Sequence, residues 1–173
     1  MRTKLLIAAV FGSALALAAC GGGGGSPSAT SSGPTKAHYL AQTAAICKST
    51  ERRLTPLVSQ VAGAAAAVFA GSPGAAAKVA PALEQLHTIA AAGVAKLHAL
   101  VQPAGDHAQI AKFLTPLSNI VQSITTALSG VKKGEGTQAL AQLQADQSLA
   151  QQVTSAAKAY GLRQCSTIFS ALG

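Results

Sequence analysis

Between His107 and Val131 the apolar residues Ile110, Phe113, Leu117, Ile120, Ile124, Ala127 and Val131 recur at alternating spacings of three and four. That spacing keeps one stripe of an α-helix apolar, the kind of seam along which bundle helices pack. A looser version of the same period runs through three more segments. From about Lys36 to Ala70, Leu54, Leu57, Val61, Ala65 and Val68 share a face; from about Pro73 to Val101, Leu83, Leu86, Ala90, Val94, Leu97 and Val101 do so. From about Gln138 to Tyr160 the face is weaker: Leu140, Leu143, Ala150, Val153, Ala157 and Tyr160. No stretch alternates with period two, so strands are not expected.

Punctuation residues bound these segments. Thr35 is a candidate N-cap of the first helix and Gly71 its stop. Pro56 lacks the amide hydrogen that the helix needs, so a kink or short break is expected there, with Thr55 capping a second helix. In "GSPG", residues 71–74, Ser72 would cap and Pro73 would start the second helix, whose first turns Pro81 should kink. "QPAGD", residues 102–106, forms the next turn with Asp106 as the cap, and "KKGEGT", residues 132–137, the third with Thr137 as the cap. Gly161 ends the fourth helix, and "LRQCSTIFSALG" follows as a short C-terminal tail. Connections this short make consecutive helices antiparallel neighbours. The expectation is an all-α fold, an up-down-up-down four-helix bundle with proline-kinked helices. "LTPL" at 54–57 and again at 114–117 is read as coincidence in a biased composition rather than as a duplicated hairpin.

Composition agrees with helices. The 173 residues are 49% apolar, largely alanine, with 3% aromatic residues and no tryptophan. Such an alphabet favours helix over strand and lets helices approach closely, with few large side chains to anchor them. The formal net charge of +8 raises nucleic acid as a partner. No nucleic acid is expected, because the basic residues are dispersed and aromatics for base stacking are nearly absent.

The N-terminus has a separate design. Arg2 and Lys4 precede an uncharged run, Leu5 to Leu17. As a helix that run is about 20 Å long, short of a hydrocarbon core of about 30 Å, so it reads as a secretory signal peptide rather than a membrane span. It leads to "LAAC", Leu17 to Cys20, which resembles the lipobox of bacterial lipoproteins. In that family the cysteine thiol takes a diacylglyceryl group, a dedicated peptidase cuts just before it, and the new amine is often acylated, with palmitate for example. The resemblance implies a signal peptide at 1–19, lipidation at Cys20, and a protein held in the cell envelope on the outer face of the bacterial cytoplasmic membrane. The membrane would then be its first partner, through the lipid anchor. Two or three acyl chains hold a protein stably, where one does so only marginally. Residues 20–35, "CGGGGGSPSATSSGPT", then read as the lipidated cysteine and a flexible tether. That tether reaches about 20 Å typically and about 50 Å when extended. Residues 36–173 are left as one helical domain.

With Cys20 lipidated, Cys47 and Cys165 remain, in an oxidising compartment where pairing is the default. Counting back from the top of a long first helix puts Cys47 level with the bundle's base, where the fourth helix ends just before Cys165. A Cys47–Cys165 disulfide is therefore expected. No Cys-x-x-Cys is present to suggest redox chemistry. "HYLAQTAAICKST", residues 38–50, and "YGLRQC", residues 160–165, are also similar to the paired ends of small alanine-rich helical lipoproteins of actinobacteria. That resemblance implies fold and location but no activity.

Candidate chemistry is sparse. His38, His87, His98 and His107 form no metal-binding motif; His87 and His98 share a helix face but lie about 16 Å apart along it. Asp106 is better used as a cap, and Glu51 and Glu84 belong to different helices at different heights. Asp146 falls on a stripe with residues 139, 143, 150, 153 and 157, although a slight rotation puts it in water, and that is the reading taken here. No nucleophile elbow, phosphate loop or dinucleotide fingerprint occurs, so no enzyme and no cofactor are expected. The expected function is a non-catalytic binding or interaction module. The alternative is a carrier of a small apolar ligand between the helices, which a large closed cavity would favour, as a fully packed core would favour the first. Arg52, Arg53, Lys158 and Arg163 flank the two termini of the domain, near the bundle end where the tether would attach, and are candidate contacts for anionic lipid or cell-wall polymer.

Overall fold

In the computed structural model, residues 33–170 are described. The expected signal peptide, Cys20 and most of the expected tether lie outside these residues. Ser32–Gly173 forms a compact unit of its own. Six helices make up its described part: α1 (Lys36–Phe69), α2 (Ala75–His98), α3 (His107–Lys132), α4 (Gly136–Ala145), α5 (Gln147–Tyr160) and α6 (Arg163–Ser170). The described residues are thus all-helical, as composition and periodicity imply.

The helix ends follow local chemistry. Thr35 caps α1, its hydroxyl accepting the His38 amide at 3.2 Å. α1, α3 and α5 end in the same device, with Gly71, Gly134 and Gly161 at positive φ. In each case the next amide reaches back five residues, Ser72 to Ala67, Glu135 to Gly130 and Leu162 to Ala157. This Schellman pattern needs a residue without a Cβ at its turning point.

Several expected details differ. α1 runs through Pro56 unbroken. Thr55 does not cap a new helix; its hydroxyl donates to the Glu51 carbonyl at 2.9 Å, and Pro56 is exposed, so carbonyls beside the ring can face water. α2 starts at Ala75, after Gly74 at φ 71°, rather than at Pro73 under a Ser72 cap. Asp106 occupies the N-cap position of α3 without a side-chain cap bond, because its carboxylate is engaged by Tyr160. The expected fourth helix is two helices meeting at Asp146, it starts before Thr137, and the tail contains a further helix, α6.

Two apolar clusters form the core. One joins the start of α1 (Tyr39, Cys47) to the end of α2 (Leu97), the start of α3 (Ile110, Phe113, Leu114, Leu117), the end of α5 (Val153, Ala157, Tyr160) and Cys165. The other joins the end of α1 (Val68) to the start of α2 (Ala75, Val79, Leu83), the end of α3 (Ile124, Ala127, Val131) and Leu140 of α4. Small residues set the close approaches. A Cβ on Gly130 would lie 2.7 Å from that of Ala139, and one on Gly136 would lie 3.1 Å from that of Ala76.

Candidate ligand groove

α1 packs along α2 and against α6, meets α4 only lightly, and its backbone does not run beside that of α5. A seam is therefore left between α1 and the α4–α5 arm. Larger side chains line parts of it, Leu54 and Val58 on α1 and Leu140 and Leu143 on the arm, but Ala62 and Ala65 on α1 and Ala150 on α5 leave stretches without the volume to close it. Close packing needs side-chain volume on both sides of a gap, and where that volume is missing a void remains. The void is a half-open groove of about 510 Å³, inside the range of about 300–1,000 Å³ usual for ligand sites.

Its inner wall is hydrocarbon. Leu83, Leu86, Val94 and Leu97 come from α2, and Phe113, Leu117, Ile120 and Ile124 from α3. On α1 the lining runs from Ile46 to Ala65, about 28 Å at helical rise. Cys47 and Cys165 lie at one end, joined by a disulfide with Cα atoms 5.1 Å apart. The bond fixes α6 against α1 beside the groove.

The rim is polar. On α1, Glu51, Thr55 and Ser59 stand on successive turns, and on the other side Gln144, Asp146 and Gln147 surround the α4–α5 joint. Thr55, Ser59, Gln144 and Gln147 are exposed, whereas Glu51 and Asp146 are half-buried. Glu51 Oε2 accepts a hydrogen bond from Gln164 Nε2 at 2.8 Å, and Oε1 accepts one from Thr167 Oγ1 at 3.5 Å. The Asp146 backbone continues the chain's helical bonding, with its amide donating to the Gln142 carbonyl at 3.2 Å and its carbonyl accepting from Leu149 at 2.9 Å. Its carboxylate takes no hydrogen bond from the described residues. Among the described residues, no lysine, arginine or histidine lines the groove.

The two carboxylates stand at similar height. Tyr39 and Tyr160 meet edge to face with ring centroids 6.1 Å apart, which ties α1 and α5 at one level. Glu51 lies about 18 Å up α1 from Tyr39, and Asp146 about 21 Å up α5 from Tyr160. They flank the seam within about one helical turn of each other. Asp146 is thus on the groove's rim rather than out in water, and the stripe of residues 139, 143, 146, 150, 153 and 157 does turn inward.

The remaining candidates are dispersed. Arg52 and Arg53 are exposed near the middle of α1, Lys158 is in the last turn of α5, and Arg163 opens α6. Among the described residues one ion pair forms, Lys132 to Glu84 at 3.4 Å, and both side chains are largely exposed, so it contributes little. His98 Nε2 lies 3.1 Å from Ser118 Oγ, and His107 Nδ1 lies 2.7 Å from Gln102 Oε1. No cluster of three metal-ligating side chains occurs among the described residues.

Sequence reasoning passed over Glu51, Thr55 and Ser59 as a unit. The signal was there: their four-residue spacing runs alongside the apolar stripe of Leu54, Val58, Val61 and Ala65. No known protein family, curated protein or solved structure matches this chain.

Proposed function

We propose that the protein is a lipid-anchored cell-envelope lipoprotein that binds a small apolar ligand in the groove between α1 and the α4–α5 arm, without catalysing a reaction. The observation that carries this reading is the groove itself, about 510 Å³ of space walled by leucine, isoleucine, valine and phenylalanine and open along one seam. A core serving only a surface interaction has no need of such a space, because an empty apolar void forfeits the contacts of its lining. The reading takes the helices as an up-down-up-down bundle with α4 and α5 together as the fourth arm. The two clusters, each joining helix starts to the ends of their neighbours, support it. The anchor would be Cys20 and its tether, on the outer face of the cytoplasmic membrane. The exposed Arg52, Arg53, Lys158 and Arg163 would meet anionic lipid or wall polymer within tether reach.

Native mass spectrometry of the protein isolated from its own envelope tests this reading. The expected spectrum carries the chain with a non-covalent adduct that organic extraction removes. A single species at the mass of the lipidated chain, together with no uptake of a neutral apolar fluorophore after extraction, would reject it.

A further inference from the structure

We infer that the groove chooses its occupant by the polar end: it takes a hydrocarbon-chain amphiphile whose head donates hydrogen bonds, an amine or a hydroxyl, and turns away chains that end in a carboxylate or phosphate. The inference rests on the ligand-binding reading above.

The argument starts from the rim's charge. Among the described residues, Glu51 and Asp146 are the only ionisable side chains lining the groove, and both are acidic. This is unexpected in a chain with net charge +8 and only five acidic residues. An anionic head brought to the seam would lose water and meet two like charges with no lining cation to receive it. An ammonium or hydroxyl meets the reverse. Glu51 accepts from Gln164 on Oε2 at 2.8 Å and from Thr167 on Oε1 at 3.5 Å, and Asp146 accepts from none of the described residues. A carboxylate offers about four lone-pair sites, so acceptor capacity is left on both. Thr55 and Ser59 direct their hydroxyl protons to the carbonyls one turn back, at 2.9 and 3.4 Å, which leaves lone pairs rather than donors facing the seam. Gln144 and Gln147 add amides that can donate as well as accept, so the rim is negative in charge and rich in acceptors, over an apolar trough.

Two opposing effects are weaker. The start of α5 carries a partial positive charge of roughly half a unit near Asp146, which offsets that carboxylate without cancelling it. The surface cations attract anions generally, but they are exposed and screened over about 8 Å at physiological salt. The trough extends about 28 Å along α1. That exceeds one leaflet's share, about 15 Å, of a hydrocarbon core, so a chain of lipid length lies within it.

The test uses residues 33–173, a unit that carries both core clusters, stripped of bound lipid and held in 0.15 M salt. N-phenyl-1-naphthylamine, a neutral apolar fluorophore, fills the groove, and dodecylamine, dodecanol and dodecanoate compete for it below their micelle concentrations. The expected result is displacement by the amine and the alcohol at concentrations at least about tenfold lower than by the acid. The isosteric pair Glu51→Gln and Asp146→Asn should bring the acid to within about threefold of the alcohol, with the fluorophore still bound. Equal displacement by all three, or preference for the acid, would overturn the head-group inference and leave the carrier reading standing. A fluorophore that never binds, to a domain still helical by circular dichroism, would overturn both.

Discussion

Tyr160 donates its hydroxyl hydrogen to Asp106 Oδ2 at 2.6 Å, joining the end of α5 to the first turn of α3. Burial pushes the Tyr160 hydroxyl well above its ordinary value near 10, and the hydrogen bond to Asp106, that residue's charge and the neighbouring Tyr39 push it the same way. Burial raises Tyr39 as well. A raised value in the native state means that the folded chain keeps a proton that the unfolded chain has released. Stability from these groups is therefore complete below about pH 10 and falls as pH rises beyond it, by up to about 1.4 kcal/mol per pH unit for each tyrosine. Urea midpoints measured from pH 8 to 11 should show that decline. Tyr160→Phe, which has no proton to lose at that position, should make it shallower and leave the Tyr39 share; an unchanged slope in that variant would remove Tyr160 from the account.

The Cys47–Cys165 bond closes a loop with a sequence separation of 118. Restricting the unfolded chain by that loop contributes about 4–5 kcal/mol on the chain-entropy view, a large share of what a domain this size has. Reduction, or the double replacement by Ala, should lower the urea midpoint without changing the order of the helices. α6 should be the first segment to become protease-sensitive. Peptide mapping without reductant should recover the two cysteine peptides joined, and two free thiols in freshly isolated protein would contradict the bond.

Glycine replacements separate packing from helix propensity. At Gly63, in the middle of α1, nothing lies within 4 Å of an added Cβ, so Gly63→Ala should raise stability by about 0.5–1 kcal/mol. At Gly130 the added Cβ would meet that of Ala139 at 2.7 Å. A Cβ cannot rotate away, so α3 and α4 must separate. Overpacking of about 1–3 kcal/mol then outweighs the propensity gain of about 1 kcal/mol. Thermal melts of the two variants should move in opposite directions.

Surface charge predicts anionic docking. Arg52, Arg53 and Arg163 are exposed and form no ion pair among the described residues, whereas Lys132 is held by Glu84. Vesicles containing anionic lipid should bind the domain in low salt and release it in high salt. Reversing the three arginines to Glu should abolish cosedimentation, and reversing Lys132 and Lys133 should leave most of it. Equal loss from both sets would mean diffuse attraction with no preferred face.

Anchoring predicts a chemical label. Cys20→Ala should abolish incorporation of a fatty-acid analogue and release the protein from membranes. Labelling that persists in this variant would place the lipid elsewhere.

The helices were legible because their information is local. The three-and-four spacing from Ile110 to Val131, the Thr35 cap and the glycines at 71, 134 and 161 each act within a few residues of themselves. The pairing of Cys47 with Cys165 was legible for a different reason: only two cysteines remained once Cys20 was set aside. What tertiary structure alone decided is where side-chain volume runs short. Pro56 sits inside a continuous α1 because packing along α2 and α6 and the Thr55 hydroxyl outweigh a local preference to break. The break came instead at Asp146, where neither proline nor glycine marks it. The groove exists because α1 and the α4–α5 arm, anchored elsewhere, do not close on each other, and alanines at several heights along the seam, Ala62 and Ala65 on α1 and Ala150 on α5, leave side-chain volume short. An alanine in a close contact and an alanine over a void read alike in a sequence, since the difference lies in the distance to a neighbour that the chain brings from far away.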